Sequence, residues 1–340
     1  MFLFPLTANP LLAANIFQDP LLDLLIPLAF IGWFGMNNLR TEEVSPHIGS
    51  PLGAISKIMG MLLIGFIAAG VGLYLILPAP IGLGLPSWSK WLVLPGVIAL
   101  TVFLLKLIPG EIKPNLQRQY LIFGNKHTWV MSVIYTMTFG SFIGYSAAFA
   151  LAIKVIFGFS HIAGADGTLT HTTVNPNAPS ALMYAWMGPF IGALIRPIGG
   201  WISDKVGGAL VTQIITVVMI AAALGVAYYM SAAYQSATPE QYFMPFFLLF
   251  LTLFAASGIG NGSTFRTIAM VFPKEQAGPV LGWTSAVAAY GAFIIPQVFG
   301  EQIKATTPEY ALYGFAIFYF VCLVLNGWYY LGPKAEFKNP

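Results

Sequence analysis

The stretch Met187–Gly208, MGPFIGALIRPIGGWISDKVGG, decides how this chain is read. From Met187 to Ile202 its only charged residue is Arg196, and it closes on Ser203-Asp204-Lys205 and a Gly207-Gly208 pair. An apolar run close to the roughly 20 residues that cross a bilayer as a helix, ended by a charged turn, reads as a membrane span reaching an aqueous surface. Arg196 lies seven residues before Ser203, about 10 Å of helix rise from that end. At such depth a guanidinium costs several kcal/mol unless it meets a polar cavity or a partner. The neighbouring runs offer no carboxylate. Two readings follow: a diffusible anion whose flat oxygens suit arginine's planar fork, or a side chain that snorkels to the surface.

Similar runs recur along the chain. Of its 340 residues 57% are hydrophobic and 8% charged, against about 25% charged in soluble domains, so most of the surface faces something other than water. Spans are expected near 21–37, 58–77, 91–107, 129–156, 180–202, 208–231, 243–272, 278–299 and 310–332, nine in all. The fold class expected is an all-α polytopic membrane protein. Lysine and arginine set its orientation. If the segment after the first span is cytoplasmic, that side carries Arg40, Lys57, Lys106, Lys113, Arg118, Lys126, Lys205, Lys274, Lys334 and Lys338. The other side carries only Lys90 and Lys304. This bias puts the carboxy terminus in the cytoplasm and the amino terminus outside, which hints at a split or truncated chain. Residues 1–20 lack the basic start of a signal peptide and are broken by Pro5 and Pro10.

Several function classes fall away. Haem-bearing bundles need histidines inside helices, and His47, His127, His161 and His171 are all expected in loops, as solvated polar residues. Cys322 is the single cysteine and sits in an apolar run, so neither a disulfide framework nor a thiolate metal site is available. No cofactor or metal site is expected. The net charge of +3 is too small to point to nucleic acid.

Depth groups other residues with Arg196. Tyr135 and Phe139 lie six and ten residues into the span 129–156, four apart and so on one helix face. Phe265 lies seven residues from the end of its own span. These four could form one layer, a cation and a hydroxyl between ring walls, although abundant aromatics also fall into a shared layer by chance. Arg266, six residues before Phe272, is expected to snorkel, and Lys154 to be interfacial. Gly140 and Gly144, Gly188 and Gly192, and the Gly258, Gly260 and Gly262 cluster have the spacing of close helix contacts.

The same segments resemble the nitrate/nitrite porter family of the major facilitator superfamily. GGWISDKVGG is similar to the superfamily's cytoplasmic turn, and GPFIGALIRPIGGWISDKVGG to the family's eighth helix with that turn. WVMSVIYTMTFGSFIGYSAAFA resembles the seventh helix, GIGNGSTFRTIAMVF the tenth and LGWTSAVAAYGAFIIPQVFG the eleventh, with its second signature. AFIGWFGMNNL resembles the end of the sixth. The resemblance implies a substrate-binding role for Arg196, Tyr135, Phe139, Phe265, Gly291 and Ser285, the last two on the signature helix. It departs from the family at Ala288 and Ala292, where glycine is usual, with Tyr290 beside them.

The implied organisation is a sixth-helix-like remnant over 1–40, an inserted helix pair over 41–126 and a six-helix facilitator half over 127–340. The implied function is secondary transport of nitrate or nitrite by alternating access, as antiport or proton-coupled uptake, in a bacterial inner membrane. The first facilitator half would then come from a partner chain. The alternatives are a facilitator for another small anion and a non-transporting membrane subunit or fragment.

Overall fold

The computed structural model describes residues 51–108, 117, 119–163 and 169–340. The expected span at 21–37 and His47 lie outside them. Among the described residues seven helices are long and apolar enough to cross a membrane, so the chain is a multi-pass membrane protein with a facilitator-like helical bundle. They belong to two compact units, one up to Leu121 and one from Ile122 to Pro340.

The smaller unit is a helical hairpin, α1 (Pro51–Ile76) packed on α2 (Lys90–Lys106). Its turn folds back on the end of α1, where Leu83 N donates to the Tyr74 carbonyl at 2.9 Å and Gly84 N to that of Leu77 at 2.7 Å. The apolar part of α2, Leu92–Lys106, is shorter than the seven crossing helices. The expected span at 91–107 is therefore a helix, but a short one.

The larger unit holds six spans. The first runs from α3 (Lys126–Tyr135) through a π-helical turn (Thr136–Gly140) into α4 (Ser141–Ile156). It starts at Asn125, whose side chain accepts the His127 N–H and satisfies one of the free donors at the helix end. A short α5 (Ala181–Tyr184) leads into α6 (Met187–Val206), which stops where Gly207 takes φ +94°, a conformation that glycine adopts without a Cβ clash. Beyond it come α7 (Gly208–Tyr234), α8 (Phe243–Val271), α9 (Lys274–Ala289), α10 (Gly291–Lys304) and α11 (Glu309–Asn326). α9 and α10 form one span interrupted at Tyr290.

Helix α8 lies against both α6 and α7, α7 also lies along α11, and α10 crosses α4. Two kinds of contact build this core. Phe149, Phe246, Phe250 and Phe254 are fully buried, with Phe149 and Phe250 stacked at 4.5 Å between centroids. Hydroxyls bridge the helices elsewhere: Thr212 to Ser263 at 2.8 Å and Ser141 to Tyr319 at 2.8 Å. Each satisfies a polar group that lipid or protein interior would otherwise leave unpaired.

The contact of α6 with α8 is backbone on backbone. A methyl group on Gly262 would strike the Arg196 carbonyl oxygen and stand 2.6 Å from Gly200 N. Glycine here is what lets the arginine-bearing helix approach.

Two histidine expectations are corrected. His127 is 2% exposed in the first turn of α3, with Nδ1 3.2 Å from the Tyr330 hydroxyl and Nε2 3.2 Å from Glu336. Glu336 also pairs with Lys126 at 2.8 Å. His161 is equally buried, on a small β-hairpin in which β1 (Phe159–Ala163) pairs antiparallel with β2 (Leu169–Val174) beside an otherwise helical bundle. His161 Nε2 donates to the Ile156 carbonyl at 2.8 Å, so its Nδ1 must accept from His171 Nδ1, 2.6 Å away. His171 stacks on Tyr234 at 4.3 Å.

Two predictions follow from this packing. Gly262→Ala should destabilise the chain by about 1–3 kcal/mol through overpacking. Gly282→Ala, with nothing within 4 Å of an added Cβ, should leave it unchanged or slightly stabler, both read from thermal unfolding in detergent. Burial holds His161 and His171 below the usual histidine value of 6.5, and at His161 the neighbouring ring adds to this. Their contribution to stability is thus complete above about 6.5 and lost as pH falls through the lowered values. Hydrogen exchange of the hairpin amides, corrected for intrinsic rate, should accelerate relative to the bundle between pH 7.5 and 5, and His171→Gln should flatten that dependence.

Candidate functional site

Arg196 is at the middle of α6, followed by Pro197, which leaves one backbone acceptor of the helix unpaired. The site is the set of side chains that α3, its π turn, α4, α8 and α9 bring around that guanidinium.

A π turn adds a residue to one helical turn, and here it spans Thr136–Gly140, directly after Tyr135 and including Phe139. The Tyr135 and Phe139 rings stack at 5.3 Å with 19° between planes. The Phe139 ring then lies 5.4 Å from the Arg196 guanidinium carbon, and Phe142 brings a second ring to 5.7 Å. Cation–π attraction of this kind contributes about 0.5–2 kcal/mol each, more as water is excluded. Phe265 meets the edge of Tyr135 at 5.4 Å and is 37% exposed, forming the open side of the layer.

The depth argument therefore grouped four residues that are indeed in one cluster: Tyr135, Phe139, Arg196 and Phe265. Ser285, on α9, interacts through its side chain with the Tyr135 hydroxyl. Gly291 is placed differently from the rest. A methyl there would stand 2.5 Å from the Gly140 Cα, and one on Gly144 would stand 2.5 Å from the Gly291 carbonyl. Gly291 thus serves the crossing of α10 over the π turn and α4. Ala288 is fully buried at the same crossing, its carbonyl 2.9 Å from where a Gly140 Cβ would be.

Two members of the cluster escaped the sequence reading. Phe142 is one. The other is Asn261, fully buried on α8, whose side chain lies between Arg196 and Tyr135. A guanidinium has only donors, so the amide must turn its oxygen toward Arg196. That oxygen accepts from Nε at 3.2 Å and from Nη2, while the amide nitrogen donates to the Tyr135 hydroxyl at 2.9 Å. The signal was legible: a lone carboxamide inside an apolar span marks a functional position, yet the glycines flanking it drew the attention.

Among the described residues no carboxylate pairs with Arg196. Arg266 differs. Its Nε lies 3.3 Å from the exposed Asp204 in the last turn of α6, and its own side chain is 21% exposed, so it is held against the charged end of that helix. Lys154 is exposed near the end of α4, as an interfacial lysine would be. Arrangement and charge together make one slot: a cation with an open edge, a phenol and aromatic walls, suited to a small planar anion.

The chain is 38% identical over 287 residues to a probable nitrate/nitrite antiporter, NarK2, of Thermus thermophilus, a match covering 82% of this chain and 59% of that protein. It is 36% identical over 230 residues to the nitrate/nitrite transporter NarU of Escherichia coli, covering 61% of this chain and 44% of the relative. A nitrite extrusion protein of Bacillus subtilis is 27% identical over 223 residues, covering 64% and 49%. The chain thus spans between about two fifths and three fifths of the length of these relatives. No family model matches it.

Proposed function

Because the chain belongs to the NarK-type nitrate/nitrite porter family, we propose that it carries one half of a secondary transporter for nitrate and nitrite. The observation behind this is Arg196, a cation inside a bundle of membrane spans with rings on it and no carboxylate beside it. Such a charge, with no tethered carboxylate beside it, calls for a polar partner that a mobile anion can supply. Arg196, Tyr135, Phe139 and Phe265 form the protein's side of the substrate pocket. Ser285 adds a hydroxyl beside Tyr135, and Gly291 sets the helix crossing beside the pocket.

Residues 127–340 are the facilitator half in this reading, 1–40 a sixth-helix-like remnant and 41–126 an inserted helix pair. Facilitators work by rocking two such halves about a midplane site. The relatives are longer than the part matched here, so the opposite half is contributed by a second chain or by a longer form of this one. With the lysine and arginine bias of the sequence, the carboxy terminus lies on the cytoplasmic side of a bacterial inner membrane. The described spans place no carboxylate at the site, so the reading covers exchange of nitrate for nitrite as well as proton-coupled uptake.

Uptake of nitrate and nitrite into liposomes, with the chain alone and with the complementary half, tests this. Uptake is expected only with both halves. Arg196→Ala should weaken apparent affinity about tenfold or more, the loss of charge-assisted hydrogen bonds, and Arg196→Lys should recover only part of it, since the planar fork is missing. No uptake in any combination would overturn the transport reading.

A further inference from the structure

We infer that Asn261 is the positioning residue of the anion site: its carboxamide fixes which donors face the anion and, being neutral, leaves the charge of Arg196 uncancelled. The inference rests on the transport reading above and adds to it a residue that acts through Arg196 and Tyr135.

Consider the guanidinium first. Nε and Nη2 share one edge of the planar group, and the Asn261 oxygen accepts from both. What remains is the Nη1–Nη2 edge, whose two parallel N–H bonds match two oxygens of a planar oxyanion. The Phe139 and Phe142 rings, 5.4 and 5.7 Å from the guanidinium carbon, limit its rotation. Arginine is thereby fixed with one edge spent on protein and the other free.

The phenol is set by the same amide. The Asn261 nitrogen donates to the Tyr135 hydroxyl at 2.9 Å, so the phenol accepts from the amide and its own proton is left for the anion, with the Ser285 hydroxyl beside it as the other partner. One carboxamide therefore turns two groups outward as donors. Its third property is charge. An aspartate of the same shape would accept from the same guanidinium edge and complete an ion pair, and an anion would then have to compete with a tethered carboxylate. The titratable groups that contact Asn261 are Arg196 from α6 and Tyr135 from α3. Ser263 of the same helix donates to the Gly260 carbonyl and so accepts from Thr212 of α7. An introduced aspartate would therefore answer to the arginine and the phenol.

The test is nitrate-dependent stabilisation of the purified chain, with chloride at matched ionic strength as reference. Thermal unfolding is followed at pH 7.5 and pH 5, where nitrate stays an anion throughout. In the wild-type chain nitrate should raise the unfolding temperature similarly at both pH values. Asn261→Asp should unfold normally without nitrate, lose at least tenfold in nitrate affinity at pH 7.5 and regain part of it at pH 5 as the carboxylate protonates. A purely structural asparagine would give no such acid recovery. Asn261→Ala, which carries the test if the aspartate variant does not fold, should weaken nitrate binding equally at both pH values. Wild-type nitrate affinity in Asn261→Asp at pH 7.5, or in Asn261→Ala, would overturn the inference and leave the transport reading standing. Absence of nitrate stabilisation in the wild-type chain, with Arg196→Ala indistinguishable from it, would overturn both.

Discussion

A guanidinium inside a bundle of membrane spans is the constraint to which the larger unit is arranged. Arg196 cannot be left bare in lipid, where the cost is about 2.5–3.5 kcal/mol or more. Pairing it with a carboxylate would end its use as an anion receptor. The chain does neither. It presents one neutral amide oxygen, from Asn261, and two aromatic faces, from Phe139 and Phe142. These lessen the cost of the charge without cancelling it, and the remaining edge of the guanidinium stays open to a mobile partner.

The surrounding architecture serves that arrangement. Gly262 allows α8 to touch α6 at the Arg196 carbonyl, which brings Asn261, one residue earlier, to the guanidinium. On the other flank a π turn places Phe139 between Tyr135 and Arg196. Gly140, in that turn, and Gly291 let α10 cross directly over it. The two methyl groups that depart from the family pattern fall away from the slot: Ala288 is buried at the crossing and Ala292 is exposed.

Much of this could be read from the residues, because depth in a membrane helix is a count along the sequence. Tyr135, Phe139, Arg196 and Phe265 were grouped by that count alone. Contacts that depend on rotation about a helix axis could not be counted. Phe142, three residues past Phe139, shares its side of the helix but lies almost a turn beyond the layer that the count picks out. The burial of His127 depends on Tyr330 and Glu336, some two hundred residues away. The β-hairpin is legible in the residues: His161-Ile-Ala-Gly-Ala-Asp-Gly-Thr-Leu-Thr-His171-Thr-Thr-Val places a Gly- and Asp-rich stretch before a β-branched run. Asn261 was likewise in plain view, a carboxamide in an apolar span.

The central claim is that Arg196 is held ready for a planar anion, and a structure of the chain determined with nitrate bound tests it most directly. The account predicts a planar density within hydrogen-bonding distance of the Nη1–Nη2 edge of Arg196 and of the Tyr135 hydroxyl, with the Asn261 oxygen still on the opposite edge. Nitrate bound elsewhere, or a guanidinium turned away from this slot toward the surface in the presence of nitrate, would contradict it.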